Sequence, residues 1–277
     1  MGSPIRFPRL SLAALALLMA TSCSSPPTYP KEHLVESLQA LLASEHLETV
    51  VRFIGQTLAV QVSYPHALAQ NGTQVSFGPA FDEATQKAMP AIHRVLFSTD
   101  ADIRFYVLLI SDPTTPGIYL TMVRYLDDLR RLDVHKIDTP EFFARTVLEL
   151  NAAGSGPLTL DQYIQRSVQL EEFLSWQLSR RIQGKLTQEF EALGVATVGR
   201  CAGKFQNGEF AFLLDVSPIG HGALDEEMMR RVFQSATNVI AHVLSSYHFA
   251  SFTSVRLIHP LTGRNILLPR ANLDVFR

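Results

Sequence analysis

Apolar residues recur along this chain with helical and strand periods that alternate in a regular order. In 31–43, Leu34, Leu38, Leu41 and Leu42 fall on one helical face. The stretch 47–64 is rich in β-branched and aromatic residues and reads as two strands turning at Gly55-Gln56. After a polar loop at Asn71-Gly72-Thr73, Phe81-Asp82-Glu83 opens a helix to about Phe97. Ala88, Ile92, Val95 and Leu96 point inward there, and Pro90 is placed to kink the helix or shift its start. Strands are predicted at 103–110 and 118–125 around the turn at 112–117, then a helical turn at 126–132. Thr139-Pro140-Glu141 starts a short helix ending near Asn151.

The second half repeats this order. Thr159 and Gln162 have capping-box spacing, and a long helix follows to about Leu193. Leu170, Leu174, Leu178, Ile182, Leu186 and Phe190 recur every four residues as one stripe, and Gly194 supplies a stop. Strands are predicted at 195–202 and 210–216 around Asn207-Gly208, a tight-turn pair. A helix over 224–246, a strand over 249–258 and a last strand at 265–268 complete the series. Small matches recur in the same order. Val50-Val51-Arg52 aligns with Val198-Gly199-Arg200, Pro65 with Pro218, Asp82-Glu83 with Asp225-Glu226, Pro113 and Gly117 with Pro260 and Gly263, and Leu126-Asp127 with Leu273-Asp274. The expected fold is α+β: two similar helix–strand–strand–helix–strand–strand modules, with mainly antiparallel sheets covered by helices and joined by a long helix. If the halves are duplicates, Arg52 and Arg200 occupy equivalent strand positions. If they are not, two unrelated α+β halves share turn residues.

Composition sets the physical class. Of 277 residues, 47% are hydrophobic and 18% charged, which demands a sizeable core and excludes a disordered chain. The net charge of −2 and the lack of any basic run leave no footprint for nucleic acid. Two cysteines, Cys23 and Cys201, cannot build a disulfide scaffold.

The N-terminus carries an address. Arg6 and Arg9 precede an apolar stretch, 10–20, too short for a membrane span but the length of an export signal. Met19-Ala20-Thr21-Ser22-Cys23 resembles the lipobox of bacterial lipoprotein precursors, with Ala20 where leucine is commonest and Ser22 where glycine or alanine is. The resemblance covers residues 1–23. It implies cleavage after residue 22 and a diacylglycerol on the Cys23 thiol, with acyl chains such as palmitate holding the protein on a membrane. An ordinary secretory signal with a chance cysteine is the alternative. Ser24 after the cysteine implies the outer membrane, with the body in the periplasm.

Residues 23–30 hold two serines and three prolines and form an extended tether, ~3 Å per residue. The expected division is a signal peptide at 1–22, lipidated Cys23 and tether at 23–30, one module at 31–151 and a second at 157–277. No later stretch is apolar enough to cross a membrane, so the body is expected to be soluble.

Chemical motifs are sparse. The nine histidines include no His-Glu-x-x-His, and His242 and His248 lie on different sides of a helix, so no metal or other cofactor is expected. Gly154-Ser155-Gly156 has no strand–helix elbow around it and reads as a flexible joint. Cys201 reads as a buried mid-strand cysteine rather than a nucleophile. The carboxylate pairs Asp82-Glu83 and Asp225-Glu226 sit where helices start, and capping accounts for them. Trp176, the sole tryptophan, reads as packing.

Two functions survive. The first is a non-enzymatic envelope lipoprotein that is tethered through Cys23 and binds envelope proteins through strand edges or a helix face. The second is a lipoprotein binding a small ligand, lipid or peptidoglycan fragment between the halves, with or without hydrolysis.

Overall fold

In the computed structural model, residues 28–72, 74–152, 159–219 and 224–273 are described. Helix α1 (Leu34–Ser44) buries Leu34, Leu38 and Leu42 and is followed by the hairpin β1 (Glu48–Ile54) and β2 (Thr57–Ser63). The turn falls at Gly55-Gln56, where Gly55 takes a positive φ that other residues resist. The loop read as polar contains a small hairpin, β3 (Leu68–Asn71) and β4 (Gln74–Phe77). Helix α2 (Phe81–Leu96) runs on through Pro90. Strands β5 (Phe105–Ser111) and β6 (Ile118–Tyr125) come next, then α3 (Leu126–Asp133), α4 (Thr139–Arg145) and β7 (Val147–Ala152). The sheet order is β1-β2-β5-β6-β7, antiparallel except for the parallel pair β2/β5. Helices α1 and α2 cover one face over Val60, Tyr106 and Leu108.

The predicted helix ending near Asn151 is corrected here: it stops at Arg145, and the chain becomes strand β7. Leu148-Glu149-Leu150 alternates with period two, and β6 offers the strand an edge whose amides need partners.

The long helix is also interrupted. The capping box at Thr159 and Gln162 starts only the single turn α5 (Leu160–Tyr163), and α6 spans Leu170–Leu186 before a π-turn at Thr187–Glu191. The first sheet extends the chain between them. Thr57 Oγ1 accepts the Val168 N–H at 2.9 Å, Gln61 Oε1 accepts the Leu160 N–H at 2.9 Å, and Ser167 Oγ accepts the Gln56 N–H at 3.1 Å. Leu160, Ile164, Val168 and Phe173 are thereby laid over Ala59, Phe105, Val107 and Leu109 on the sheet's second face. This explains why all of Phe105–Ile110 is buried.

The second sheet is built from β9 (Ala202–Gln206), β10 (Glu209–Leu213), β12 (Ser254–Ile258) and β13 (Asn265–Pro269), in the order β13-β12-β10-β9. A short ribbon of β8 (Ala196–Val198) and β11 (Val216–Pro218) flanks it. Helices α6 and α7 (Glu226–Ser246) cover its inner face over Phe210, Phe212, Val255 and Leu257, and the turn α8 (Arg270–Leu273) follows β13.

The four strands β9, β10, β12 and β13 repeat the topology of β1, β2, β5 and β6, including a parallel pair at the same place, β2/β5 and β10/β12. Loop bonds repeat as well. Arg104 N–H donates to Gln56 O at 2.9 Å and Leu126 N–H to Arg104 O at 2.8 Å. Thr253 N–H donates to Gly208 O at 2.7 Å and Arg270 N–H to Thr253 O at 2.9 Å. This register pairs Gly55-Gln56 with Asn207-Gly208, and hence Arg52 with Lys204 and Ala59 with Ala211. The sequence alignment of Arg52 with Arg200 is therefore wrong. Arg52 lies within β1, and Arg200 lies in the bend between β8 and β9. The inserted β8 ribbon displaced the match. The same register moves Leu273 from Leu126 to Leu129, both of them buried.

Candidate functional site

Cys23, the predicted lipidation residue, lies outside the described residues, as do Gly154-Ser155-Gly156. Cys201 sits in the bend between β8 and β9 rather than mid-strand. It is buried, and that burial pushes its thiol up to about 11, which removes it as a nucleophile at neutral pH. Among the described residues, no group of three or more histidine, cysteine or acidic side chains has metal-site geometry. No helix among them is long and apolar enough to cross a membrane. Asp225 caps α7 by accepting the Met228 N–H at 2.7 Å, and Glu83 pairs with Lys87 at 2.7 Å.

Two concave regions of more than 800 Å³ are formed by the described residues. A cleft of about 810 Å³ lies between the modules, bounded by β7, α6 and the bend at Arg200. There Glu149 Oε1 stands 3.8 Å from Arg180 Nη1 and 4.0 Å from Arg200 Nη2, so two cations share one carboxylate. Trp176 and Gln183 complete the wall.

The second region is a groove of about 860 Å³ between α7 and β13. Its floor is apolar, from Met229 and Phe233 on the helix and Ile266 and Leu268 on the strand. Arg230, Arg264, Asn265 and the carboxylate Glu226 also line it. Among the described residues β13 is an edge strand of its sheet, so the groove opens beside a strand edge that none of them pairs. Backbone groups alternate in direction along an antiparallel strand. Arg264 O and Arg270 N–H bond toward β12, so the N–H and C=O of Asn265 and Leu267 face outward.

The first module is closed at the same position. β7 pairs with β6, the counterpart of β13, and Leu148 and Leu150 pack against the first core beside Val75 of the β3–β4 hairpin. In the second module the connection between the second strand and the second main helix, 214–225 against 64–80, is shorter and carries β11, which pairs with β8 instead. The other sheet edges carry a charge: Arg52 in β1, Glu149 in β7 and Lys204 in β9. Such charges discourage strand pairing, whereas β13 carries Leu267, which is 49% exposed. Sequence reasoning found β13 but took β7 for helix, so this contrast between the modules was hidden. The alternation in 148–150 was the available signal.

No known protein family, curated protein or solved structure matches this chain.

Proposed function

We propose that this protein is a non-enzymatic cell-envelope lipoprotein that holds other proteins at a membrane. The lipid anchor is Cys23, the membrane is the outer membrane, and the two modules stand in the periplasm on the 23–30 tether. One observation carries the docking part of this reading: the unpaired β13 edge beside an apolar groove, at the position the first module fills with its own β7. Free strand edges with adjoining side-chain pockets are a common means of protein recognition. The address rests on Arg6, Arg9, the apolar stretch 10–20 and the lipobox ending in Cys23.

The test is crosslinking in intact cells with palmitate labelling. Wild-type chain should carry label and capture protein partners reproducibly, and Cys23→Ala should lose both. Label retained by Cys23→Ala overturns the anchor, and recovery of lipid or cell-wall material alone overturns docking.

A second reading is favoured by Arg180 and Arg200 converging on Glu149. It makes the inter-module cleft a site for a small anionic ligand, such as a peptidoglycan fragment. Calorimetric titration with such fragments, repeated on Arg200→Glu, decides it.

A further inference from the structure

We infer that the second module binds an extended segment of a partner protein as a fifth strand, antiparallel to β13, in the register that β7 holds on β6. The segment carries an apolar residue facing Ile266 and an acidic residue facing Arg264. This inference rests on the docking reading and specifies its partner.

The repeat supplies the register. β7 pairs Val147 with Val123, Leu148 with Met122 and Glu149 with Thr121. Through the shared register of the β5/β6 and β12/β13 pairs, Val123 corresponds to Leu267, Met122 to Ile266, Thr121 to Asn265 and Leu120 to Arg264. The outward N–H and C=O groups of Leu267 and Asn265 are those that Val123 and Thr121 give to β7. Pro269 lacks an N–H, yet its counterpart Tyr125 lies beyond the β7 ladder, so the proline removes nothing the added strand would use.

Side-chain chemistry follows from the same register. Leu148 lies across from Met122 and packs on the first core, so the residue across from Ile266 enters the groove over Met229 and Phe233 and must be apolar. Two residues on, Leu150 faces Leu120 in the first module, where the second module has Arg264. Arg264 lines the groove, is exposed and has no ion-pair partner among the described residues. Charge complementarity therefore calls for a carboxylate at that position. A second copy pairing through its own β13 does not supply it. Pairing two β13 strands about Ile266 or about Leu267 brings Leu268 or Arg270 opposite Arg264.

The test uses a peptide with the sequence of residues 146–152 carrying Leu150→Glu, titrated into the ¹⁵N-labelled mature protein. Amide resonances of 264–268 should shift. Affinity should fall at least tenfold in Leu267→Pro, which removes an outward N–H at a position where an edge strand tolerates proline. Leu267→Lys, which copies the charges on the other edges, should weaken binding similarly and covers the case in which the proline variant misfolds. Arg264→Glu should weaken binding tenfold and regain it with a peptide carrying Leu150→Lys. Shifts confined to β9 or the inter-module cleft, no binding at millimolar peptide, or full affinity in both Leu267 variants would overturn the inference. In cells, a photoreactive residue at 267 should crosslink to a partner segment of this pattern. Protein captured from position 204 but not from 267 defeats strand addition while leaving docking in place. No protein captured from either position defeats docking itself.

Discussion

The joint between the modules is held by a buried charge. Arg145, at the end of α4, is 6% exposed and donates to Asp128 at 2.9 Å and to Glu141 at 2.8 Å. The ring of Tyr247, just past α7, lies 4.8 Å from its guanidinium, and the Tyr247 hydroxyl donates to Asp128. Gln177 of α6 donates to the Arg145 carbonyl at 2.7 Å and to the Tyr247 hydroxyl at 2.9 Å. Arg181 of α6 reaches Glu141 at 2.9 Å. Burial pushes the Asp128 carboxyl above its ordinary value, against the downward pull of the Tyr247 hydroxyl and Arg145. Arg145→Ala leaves that carboxylate buried without its cation. The expected loss is about 3–5 kcal/mol at pH 7. Asp128 can relieve part of this by binding a proton, and without Arg145 its folded-state value rises further. In the variant, therefore, the folded state holds more protons than the unfolded state between the ordinary carboxylate range and neutrality, and stability falls as pH rises through that window. Urea titrations followed through Trp176 should show a larger deficit at pH 7 than at pH 5. The pair Arg145→Met with Asp128→Asn should lose less than Arg145→Ala alone. A deficit below about 1 kcal/mol, or one equal at both pH values, refutes the reasoning.

Burial, with the charge of Arg124 behind it, pulls His93 down to about 4. Its contribution is complete above pH 6.5 and is lost as pH falls from 6.5 toward 4, by about 3 kcal/mol at most. Urea midpoints of wild type and His93→Gln should converge across that range, and parallel curves would exclude this origin. His46, His135 and His248 end α1, α3 and α7 at φ of +59°, +54° and +50°, where Gly194 ends the π-turn in the same way. Each closes the helix with paired bonds, as in His46 N–H to Ala43 O at 3.0 Å and Leu47 N–H to Leu42 O at 3.1 Å. Histidine to glycine at any of the three should raise stability by about 0.5–1 kcal/mol, read as a higher Tm, and a lower Tm at all three would count against strain there. A fragment of residues 31–151 lacks Leu160, Ile164, Val168 and Phe173, whose burial contributes about 1.5–3 kcal/mol each. It should fail to fold cooperatively by circular dichroism, while a fragment of residues 31–176 should fold; equal behaviour of the two would contradict the role assigned to the cover.

Strong local periodicity was legible in the sequence, and tertiary decisions were not. The stripe from Leu170 to Phe190 and the turns at Gly55-Gln56 and Asn207-Gly208 are set by residues within a few positions of one another. The breaks at 164–169 and at Arg145 are imposed from a distance, by Thr57 and Gln61 of β2 and by the edge of β6. Propensity along 159–193 favours one continuous helix. It loses because Ile164 and Val168 bury more surface on the first sheet than on a helix facing solvent. Topological duplication was legible as an order of elements. Its register was not, because the β8 ribbon shifts the second hairpin and Arg200 offered a false partner to Arg52. The groove at β13 required knowing that β7 is a strand.

The repeat also separates surface adapted to solvent from surface that is not. The second face of the first sheet carries Thr57, Ala59, Phe105 and Val107 and is covered by residues 160–173. The matching positions in the second sheet are Glu209, Ala211, Ser254 and Arg256, with Ile258 in the place of Leu109, and no such cover lies over them among the described residues. Alanine is kept. Phenylalanine and valine give way to serine and arginine, and Arg256 pairs with Glu209 at 2.8 Å across the strands. An exposed ion pair of this kind adds little stability, but it makes an open face compatible with water. At β13 the exchange is partial: Leu120 is matched by Arg264, while two positions within the strand stay apolar. Met122 is matched by Ile266 and Val123 by Leu267, both still apolar although the strand that covers their counterparts is missing. Within Asn265–Pro269 itself no charge appears, unlike β1, β7 and β9, although Arg264 precedes it. The open face is itself mixed, with Leu213 and Leu267 exposed beside Arg256. A strand arriving from outside the chain is called for instead by the outward backbone groups of Asn265 and Leu267 and by the apolar groove beneath Ile266.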